Sequence, residues 1–210
     1  MIRARVVSGL VLVFGIFSVL QSASAADPAA GQAAYAVCAA CHGPQGEGNM
    51  AMNAPKLAGQ ESWYIKRQLE SYRNGRRGTA GGDAYGAQMR PMAMAVSDPV
   101  SVDNLIAYID TLPIADSPPT VTGDIAAGKN AYMVCAACHG QKAEGNESLA
   151  GPRLAGQNDW YLVRQIHNYR KGLRGYDPRD IYGNQMKPMA TMLSSDQAIN
   201  DVVAYINTLQ

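Results

Sequence analysis

The sequence of 210 residues has no long apolar run after residue 20, no excess of basic charge, and little cysteine or histidine. Without a later apolar run of about 20 residues, no transmembrane helix is predicted beyond the N-terminus. The 18 Lys and Arg residues barely exceed the 17 Asp and Glu residues, so no basic stripe for nucleic acid is expected. Four cysteines and three histidines are so few that the position of each is informative.

The first 25 residues have the order of a secretory signal peptide. Arg3 and Arg5 precede an apolar run over residues 6–20, and Ala23 and Ala25 satisfy the small-residue rule for signal peptidase. The alternative is a retained membrane anchor, but a run of 15 residues is short for a span. We expect cleavage after Ala25 and export to the periplasm. The mature chain would then have 16 basic and 17 acidic residues.

The sequence Cys-Ala-Ala-Cys-His occurs twice and uses every cysteine of the chain. Two thiols three residues apart can each form a thioether with one vinyl group of a haem, and the histidine that follows is then an axial ligand of the iron. We therefore predict two covalently bound haems c. The residues that would attach them are Cys38, Cys41 and His42 in one copy and Cys135, Cys138 and His139 in the other.

A Cys-x-x-Cys pair is also found in zinc sites and in redox disulfides. A zinc ribbon would place its second pair much closer than the 97 residues that separate these two. A redox motif of the thioredoxin type requires a βαβ setting, and no strand is predicted near either pair. Haem attachment is therefore the interpretation that the spacing favours.

The mature chain is an internal duplication with a constant offset of 97 residues. The offset maps Tyr35 onto Tyr132, and it maps the segment Pro-Lys-Leu-Ala-Gly-Gln at Pro55 onto Pro-Arg-Leu-Ala-Gly-Gln at Pro152. Each half has only about 90 residues, so a haem would supply part of its apolar interior. The predicted organisation is a signal peptide (1–25), an N-terminal domain (26–112), an extended linker (113–123) and a C-terminal domain (124–210).

Apolar residues recur at helical spacing in three segments of each half, and no strand is predicted, so the fold class is all-α. Asp27 and Pro28 begin a helix that runs into the first cysteine, and Ser97 is expected to cap the last helix of its half. Glycine-rich loops and an irregular, methionine-containing segment precede each last helix. The other predicted helices cover residues 63–74, 160–171 and 195–209, and the loops cover 75–86 and 172–183.

The second axial ligand of each iron can be approached by elimination. The only histidine outside the two motifs is His167, which maps onto Glu70, so the two halves cannot both use a second histidine. Methionine is the other common strong axial ligand. Only two methionine pairs keep the offset of 97 residues, and the sequence alone does not choose between them. They are Met89 with Met186 and Met92 with Met189.

With these features the chain resembles the bacterial dihaem class I cytochromes c of the cytochrome c4 family. The resemblance covers the whole mature chain: two Cys-x-x-Cys-His halves, a Pro-x-Leu-Ala-Gly-Gln segment after each, and a methionine before each last helix. It implies two tandem cytochrome c domains, each a small helical fold around its haem. It also implies that Met89 and Met186 are iron ligands. The carbonyls of Pro55 and Pro152 would accept a hydrogen bond from Nδ1 of the ligand histidines.

A protein of this kind is expected to carry electrons and not to be an enzyme, since His/Met ligation leaves no iron position open to a substrate. The predicted role is transfer of single electrons from a quinol-oxidising complex to a terminal oxidase, and any association with a membrane is expected to run through those partners. One alternative is a dihaem enzyme of the peroxidase type, against which the matched methionines argue. The other is a tightly bound electron-transfer subunit of a larger oxidase or dehydrogenase.

Overall fold

The computed structural model describes residues 25–209, and the predicted signal peptide lies outside this range except for Ala25. The described residues form eight α-helices, four in each half, and contain no β-strand beyond two isolated bridges. None of their helices is both long and apolar enough to cross a membrane. The prediction of an all-α fold is confirmed. The helices are α1 (Pro28–His42), α2 (Ser62–Arg73), α3 (Ala84–Ala95), α4 (Pro99–Ile109), α5 (Ile125–His139), α6 (Asp159–Arg170), α7 (Ile181–Thr191) and α8 (Asp196–Ile206), with short 3-10 turns at Glu147–Leu149 and Asn207–Leu209.

The last helix of each half is its most deeply buried element. All of the largest fully buried side chains among the described residues lie on α4 or α8. Their spacing of three and four residues is the helical pattern that the sequence showed for both segments. These side chains are Val102, Leu105 and Ile109 in the first half and Ile199, Val202 and Val203 in the second.

The first and last helices of each half cross at a very short distance. A Cβ atom at Gly31 in α1 would lie 1.9 Å from the backbone oxygen of Asn104 in α4, and one at Gly128 in α5 would lie 1.9 Å from that of Asp201 in α8. Only glycine permits this approach. Because the crossing orients α1 and α5, it also determines where the Cys-x-x-Cys-His motifs at their C-terminal ends lie.

Replacing Gly31 or Gly128 by alanine should lower the free energy of unfolding by about 1–3 kcal/mol, because the added methyl group overlaps a neighbouring helix backbone. Gly81 provides a matched control, since a Cβ there has no atom within 4 Å, and Gly81→Ala should change that free energy by less than about 0.5 kcal/mol. Urea unfolding, monitored by circular dichroism, gives the free energy of unfolding of all three variants. Equal losses in the three variants would contradict a specific role for the crossings.

The cap of α4 differs from the prediction. The backbone N–H groups of Val100 and Ser101 donate to the carboxylate of Asp98 at 3.0 and 3.2 Å, so Asp98 is the N-cap and the prediction of Ser97 was wrong. A carboxylate can accept both bonds and also interacts favourably with the positive end of the helix dipole. At the equivalent position of the second half, Oγ of Ser195 accepts one backbone N–H at 3.1 Å.

The segment that contains the paired methionines is helical, and the prediction of an irregular loop was wrong. It forms α3 in the first half and α7 in the second, with Pro91 and Pro188 inside these helices. Asp83 and Asp180 cap them, each accepting a backbone N–H three residues later at 2.9 and 3.0 Å. A proline removes one internal hydrogen bond, but the cap and the alanine and methionine residues around it favour a helix.

Residues 113–123, which the sequence indicated as an extended linker, contain no helix or strand. The N–H groups of Thr120 and Val121 donate to Oδ2 of Asp159 at 2.6 and 2.8 Å. Burial alone would raise the pKa of Asp159, but these bonds and one from the Thr120 hydroxyl hold its pKa below the usual value. The end of the segment is thereby attached to the C-terminal half. The domain boundaries themselves remain a prediction.

The two halves meet at a buried polar group that we call the arginine cluster, formed by Arg77, Arg174, Gln68 and Gln165. The two arginines are 7% and 6% exposed. Arg77 donates to Gln68 at 2.7 Å and to Gln165 at 2.9 Å, and Arg174 donates to the same two glutamines at 3.1 and 3.0 Å. Among residues 25–209 no carboxylate is hydrogen-bonded to either guanidinium. Two tyrosine hydroxyls also accept hydrogen bonds, Tyr161 from Arg77 at 3.1 Å and Tyr64 from Arg174 at 2.7 Å.

Candidate haem sites

The C-terminal end of the first helix in each half brings the motif residues together. Cys38, Cys41 and His42 are three and four residues apart within α1, so their side chains share one face of the helix. The same arrangement ends α5. None of the four cysteines forms a disulfide. Each half therefore presents two cysteine side chains beside one imidazole.

Each motif histidine is buried and oriented by one backbone carbonyl. His42 and His139 are 6% and 7% exposed, and Nδ1 of each lies 2.7 Å from the carbonyl oxygen of Pro55 or Pro152, respectively. A carbonyl only accepts hydrogen bonds, so Nδ1 carries the proton and Nε2 the lone pair. Burial lowers the pKa of both imidazoles, against the opposing effect of the hydrogen bond. A neutral ring with a free Nε2 is the form that binds a metal.

The loop after each motif holds this carbonyl in place. The N–H groups of Leu57 and Ala58 both donate to the carbonyl oxygen of Gly46, at 2.7 and 3.1 Å. The two equivalent N–H groups of the second half donate to the carbonyl of Ala143 at 2.9 and 3.0 Å. The loop that begins at Pro55 is thus fixed to the turn that follows the motif helix, and the equivalent loop of the second half is fixed in the same way.

Burial distinguishes the two paired methionines in the first half but not in the second. Met89 and Met92 are one turn apart on α3, so their side chains leave the same face. Met89 is half-buried and packs against the core of its half, whereas Met92 is 37% exposed. In the second half Met186 and Met189 are both half-buried. Packing therefore favours Met89 over Met92 as the iron ligand of the first half. In the second half burial does not distinguish Met186 from Met189. The remaining histidine, His167, faces an aspartate of α8 at 3.8 Å.

These features fit a covalently attached haem in each half. Two cysteines can form the thioethers to the haem vinyl groups, and an imidazole Nε2 and a methionine thioether are the protein ligands of the iron in a haem c with His/Met ligation. Residues 25–209 contain no group of three or more His, Cys, Asp or Glu side chains arranged to hold a metal ion. The two cysteine pairs therefore do not form a single zinc site with four thiolates.

Comparison with known proteins decides the family. The sequence profile of cytochrome c matches the chain twice, over residues 28–113 and 125–210. Cytochrome c4 of Azotobacter vinelandii is 35% identical over 214 aligned positions, which cover 95% of this chain and 96% of the relative. The chain belongs to the cytochrome c4 family. As a member of that family it consists of two tandem cytochrome c domains, binds two haems c covalently and transfers electrons. These predictions are confirmed.

Two further comparisons give a solved structure and a relative with a different name. The structure of reduced recombinant cytochrome c4 from Pseudomonas stutzeri has a TM-score of 0.66 and 28% identity, and the match covers 89% of this chain and all of that one. A thiosulfate dehydrogenase electron acceptor of Stutzerimonas stutzeri (strain A1501) is 31% identical over 179 positions, which cover 80% of this chain and 76% of the relative. The similarity thus includes a protein named as the electron acceptor of a dehydrogenase.

One property of the sites was not recognised from the sequence: the loops that follow the two motifs touch each other. Nε2 of Gln60 donates to the carbonyl of Arg153 at 3.2 Å, and Nε2 of Gln157 donates to the carbonyl of Lys56 at 3.0 Å. The glutamine that ends both Pro-x-Leu-Ala-Gly-Gln segments was the available signal. Through these hydrogen bonds the two haem-binding halves are in direct contact.

Proposed function

We propose that this protein is a periplasmic carrier of single electrons with His/Met ligation at both haems. The observation that carries the proposal is that the same constellation occurs twice: a buried, neutral imidazole with its Nδ1 bound to a carbonyl, next to two thiols. The proposed thioether residues are Cys38, Cys41, Cys135 and Cys138. The proposed iron ligands are His42 and Met89 in one half and His139 and Met186 in the other.

When bound, each haem supplies a one-electron Fe(III)/Fe(II) couple. The chain holds the axial groups so that little has to move when the electron arrives. The carbonyl of Pro55 keeps the ring of His42 from rotating, and burial keeps water from its nitrogen atoms. Met89, which packs on the core of its half, would be the second iron ligand and would exclude outside ligands. A neutral thioether favours the ferrous state and therefore raises the reduction potential.

The proposed electron donor is a quinol-oxidising complex, and the proposed acceptor is a terminal oxidase. Contacts with both would be small and short-lived, as is usual for electron-transfer encounters. A second candidate is the acceptor of a periplasmic dehydrogenase, either free or as a tightly bound subunit. The 31% identity to a thiosulfate dehydrogenase electron acceptor supports this candidate.

Mass spectrometry and optical kinetics test the proposal. Protein purified from the periplasm should have the mass of the chain from residue 26 onwards plus two haems. A quinol-oxidising complex supplied with quinol should reduce both haems, and membranes that contain a terminal oxidase should reoxidise them. Reduction by thiosulfate and its dehydrogenase, without reduction by the quinol-oxidising complex, would favour the second candidate. A mass without two haems, or a resting iron that readily binds peroxide, would contradict both.

A further inference from the structure

One peptide group in each half contacts both the motif histidine and the opposite half. In the N-terminal half it joins Pro55 and Lys56. Its carbonyl oxygen accepts the bond from Nδ1 of His42 at 2.7 Å. Its N–H donates to Oδ1 of Asn158 at 2.8 Å and to Oε1 of Gln157 at 3.1 Å. Both of these acceptors are neutral amides, and both belong to the C-terminal half.

The corresponding peptide group of the C-terminal half joins Pro152 and Arg153. Its carbonyl oxygen accepts the bond from Nδ1 of His139 at 2.7 Å, and its N–H donates to Oε2 of Glu61 at 2.8 Å. The acceptor here is a carboxylate of the N-terminal half. Each motif histidine is therefore linked through a single amide group to a side chain of the other half, and the two side chains differ in charge.

Glu61 and Asn158 occupy equivalent places in the duplication. They are 97 residues apart in the sequence. A Cβ atom on Gly48 would lie 2.3 Å from Oδ1 of Asn158, and one on Gly145, which is equivalent to Gly48, would lie 2.2 Å from Oε1 of Glu61. The two side-chain oxygens thus fill the same space beside the two motifs. The two equivalent side chains differ in charge, and the N–H of Lys56 has a second acceptor, Oε1 of Gln157.

We propose that Glu61 lowers the reduction potential of the haem in the C-terminal half, and that neutral Asn158 has no comparable effect on the haem of the N-terminal half. This inference rests on the haem ligation proposed above. The N–H and C=O of an amide are conjugated, so an anion bound to the N–H makes the carbonyl oxygen a stronger acceptor. A stronger bond to Nδ1 makes the imidazole of His139 a more basic ligand. That basicity and the nearby negative charge both favour Fe(III).

The direct test is Glu61→Gln, which keeps an acceptor oxygen and removes the charge. The two potentials of the wild-type holoprotein are first assigned to the halves by NMR contacts of the haem methyl groups. In the variant, the Fe(II)/Fe(III) ratio of the C-terminal haem at a fixed potential should rise about threefold or more, where tenfold corresponds to 59 mV. The N-terminal haem should shift less. The amide proton of Arg153 should move upfield, which reports on the hydrogen bond independently of the iron.

Two further variants distinguish the effect of the hydrogen bond to the peptide N–H from the effect of a nearby negative charge that makes no such bond. Asn158→Asp places a carboxylate on the N–H of Lys56 and should lower the potential of the N-terminal haem. Glu147→Gln is the matched control. Glu147 acts on Glu61 electrostatically, but within the described residues it makes no hydrogen bond to the N–H of Arg153. Its removal should leave both potentials close to those of the wild type.

Selective shifts of the C-terminal haem in Glu61→Gln and of the N-terminal haem in Asn158→Asp would support the proposal. Equal shifts of both haems, no shift, or a shift in Glu147→Gln as large as that in Glu61→Gln would overturn it. A wild-type protein without two His/Met haems would instead contradict the proposed function. The two failures are distinguishable because the wild type is measured before any variant.

Discussion

Met89→Ala should abolish the sulfur-to-iron charge-transfer band of one haem and lower the reduction potential of that haem by on the order of 0.2 V. Met186→Ala should do the same to the other haem. The thioether favours Fe(II), so replacing it by water or by an open position stabilises Fe(III) relative to Fe(II). A potentiometric titration followed optically measures both effects, and each variant should change one haem and leave the other as in the wild type.

Met92→Ala and Met189→Ala are the matched controls, because each truncates the second methionine of its pair one turn further along the same helix. Both controls should keep two sulfur-ligated haems. Loss of the band in Met92→Ala with its retention in Met89→Ala would show that the more exposed methionine is the ligand. Burial would then be a poor guide in the first half. In the second half, where burial does not separate Met186 from Met189, the same comparison identifies the ligand directly.

Truncation of Arg77 or of Arg174 to alanine should lower the free energy of unfolding by about 1–3 kcal/mol. Each arginine donates three hydrogen bonds within or beside the arginine cluster. In a single variant the oxygens of Gln68 and Gln165 still receive one bond from the remaining guanidinium. Removing one of two like charges also relieves their repulsion, which offsets part of the loss.

The double variant Arg77→Ala with Arg174→Ala should lose more than the sum of the single variants, by about 0.5–3 kcal/mol. The double variant leaves the side-chain oxygens of Gln68 and Gln165 without a guanidinium donor. Each single variant already relieves the repulsion between the two arginines, so the sum of the single variants counts this gain twice and the double variant gains it once. Chemical denaturation of the holoprotein gives the free energies of unfolding of the wild type, the two single variants and the double variant. Lys66→Gln, in an ion pair whose lysine side chain is 52% exposed, is the control and should change the stability by less than about 0.5 kcal/mol. Additive losses would contradict the shared acceptors.

Local spacing was enough to predict the helical ends that carry the motifs. Cys38, Cys41 and His42 need only one helical turn to meet, and α1 provides it. Other local rules failed where two of them competed. Pro91 suggested an irregular segment, but the cap at Asp83 and the residues between them produced a helix. Ser97 and Asp98 are both good caps, and the carboxylate, which accepts two N–H groups, is the one that starts α4.

The number of haems, the twofold repeat and the all-α fold followed from the chain itself, because they depend on residues that are neighbours in sequence or related by one constant offset. The contacts between the halves followed only from the tertiary structure. Arg77 meets Gln165 across 88 residues, and Glu61 meets the N–H of Arg153 across 92. No local pattern encodes such pairings, because they arise from the way in which two folded halves pack together. That packing places Arg77 and Arg174 at the interface between the halves. It also places the carboxylate of Glu61 on the peptide group that contacts His139, and the amide of Asn158 on the peptide group that contacts His42.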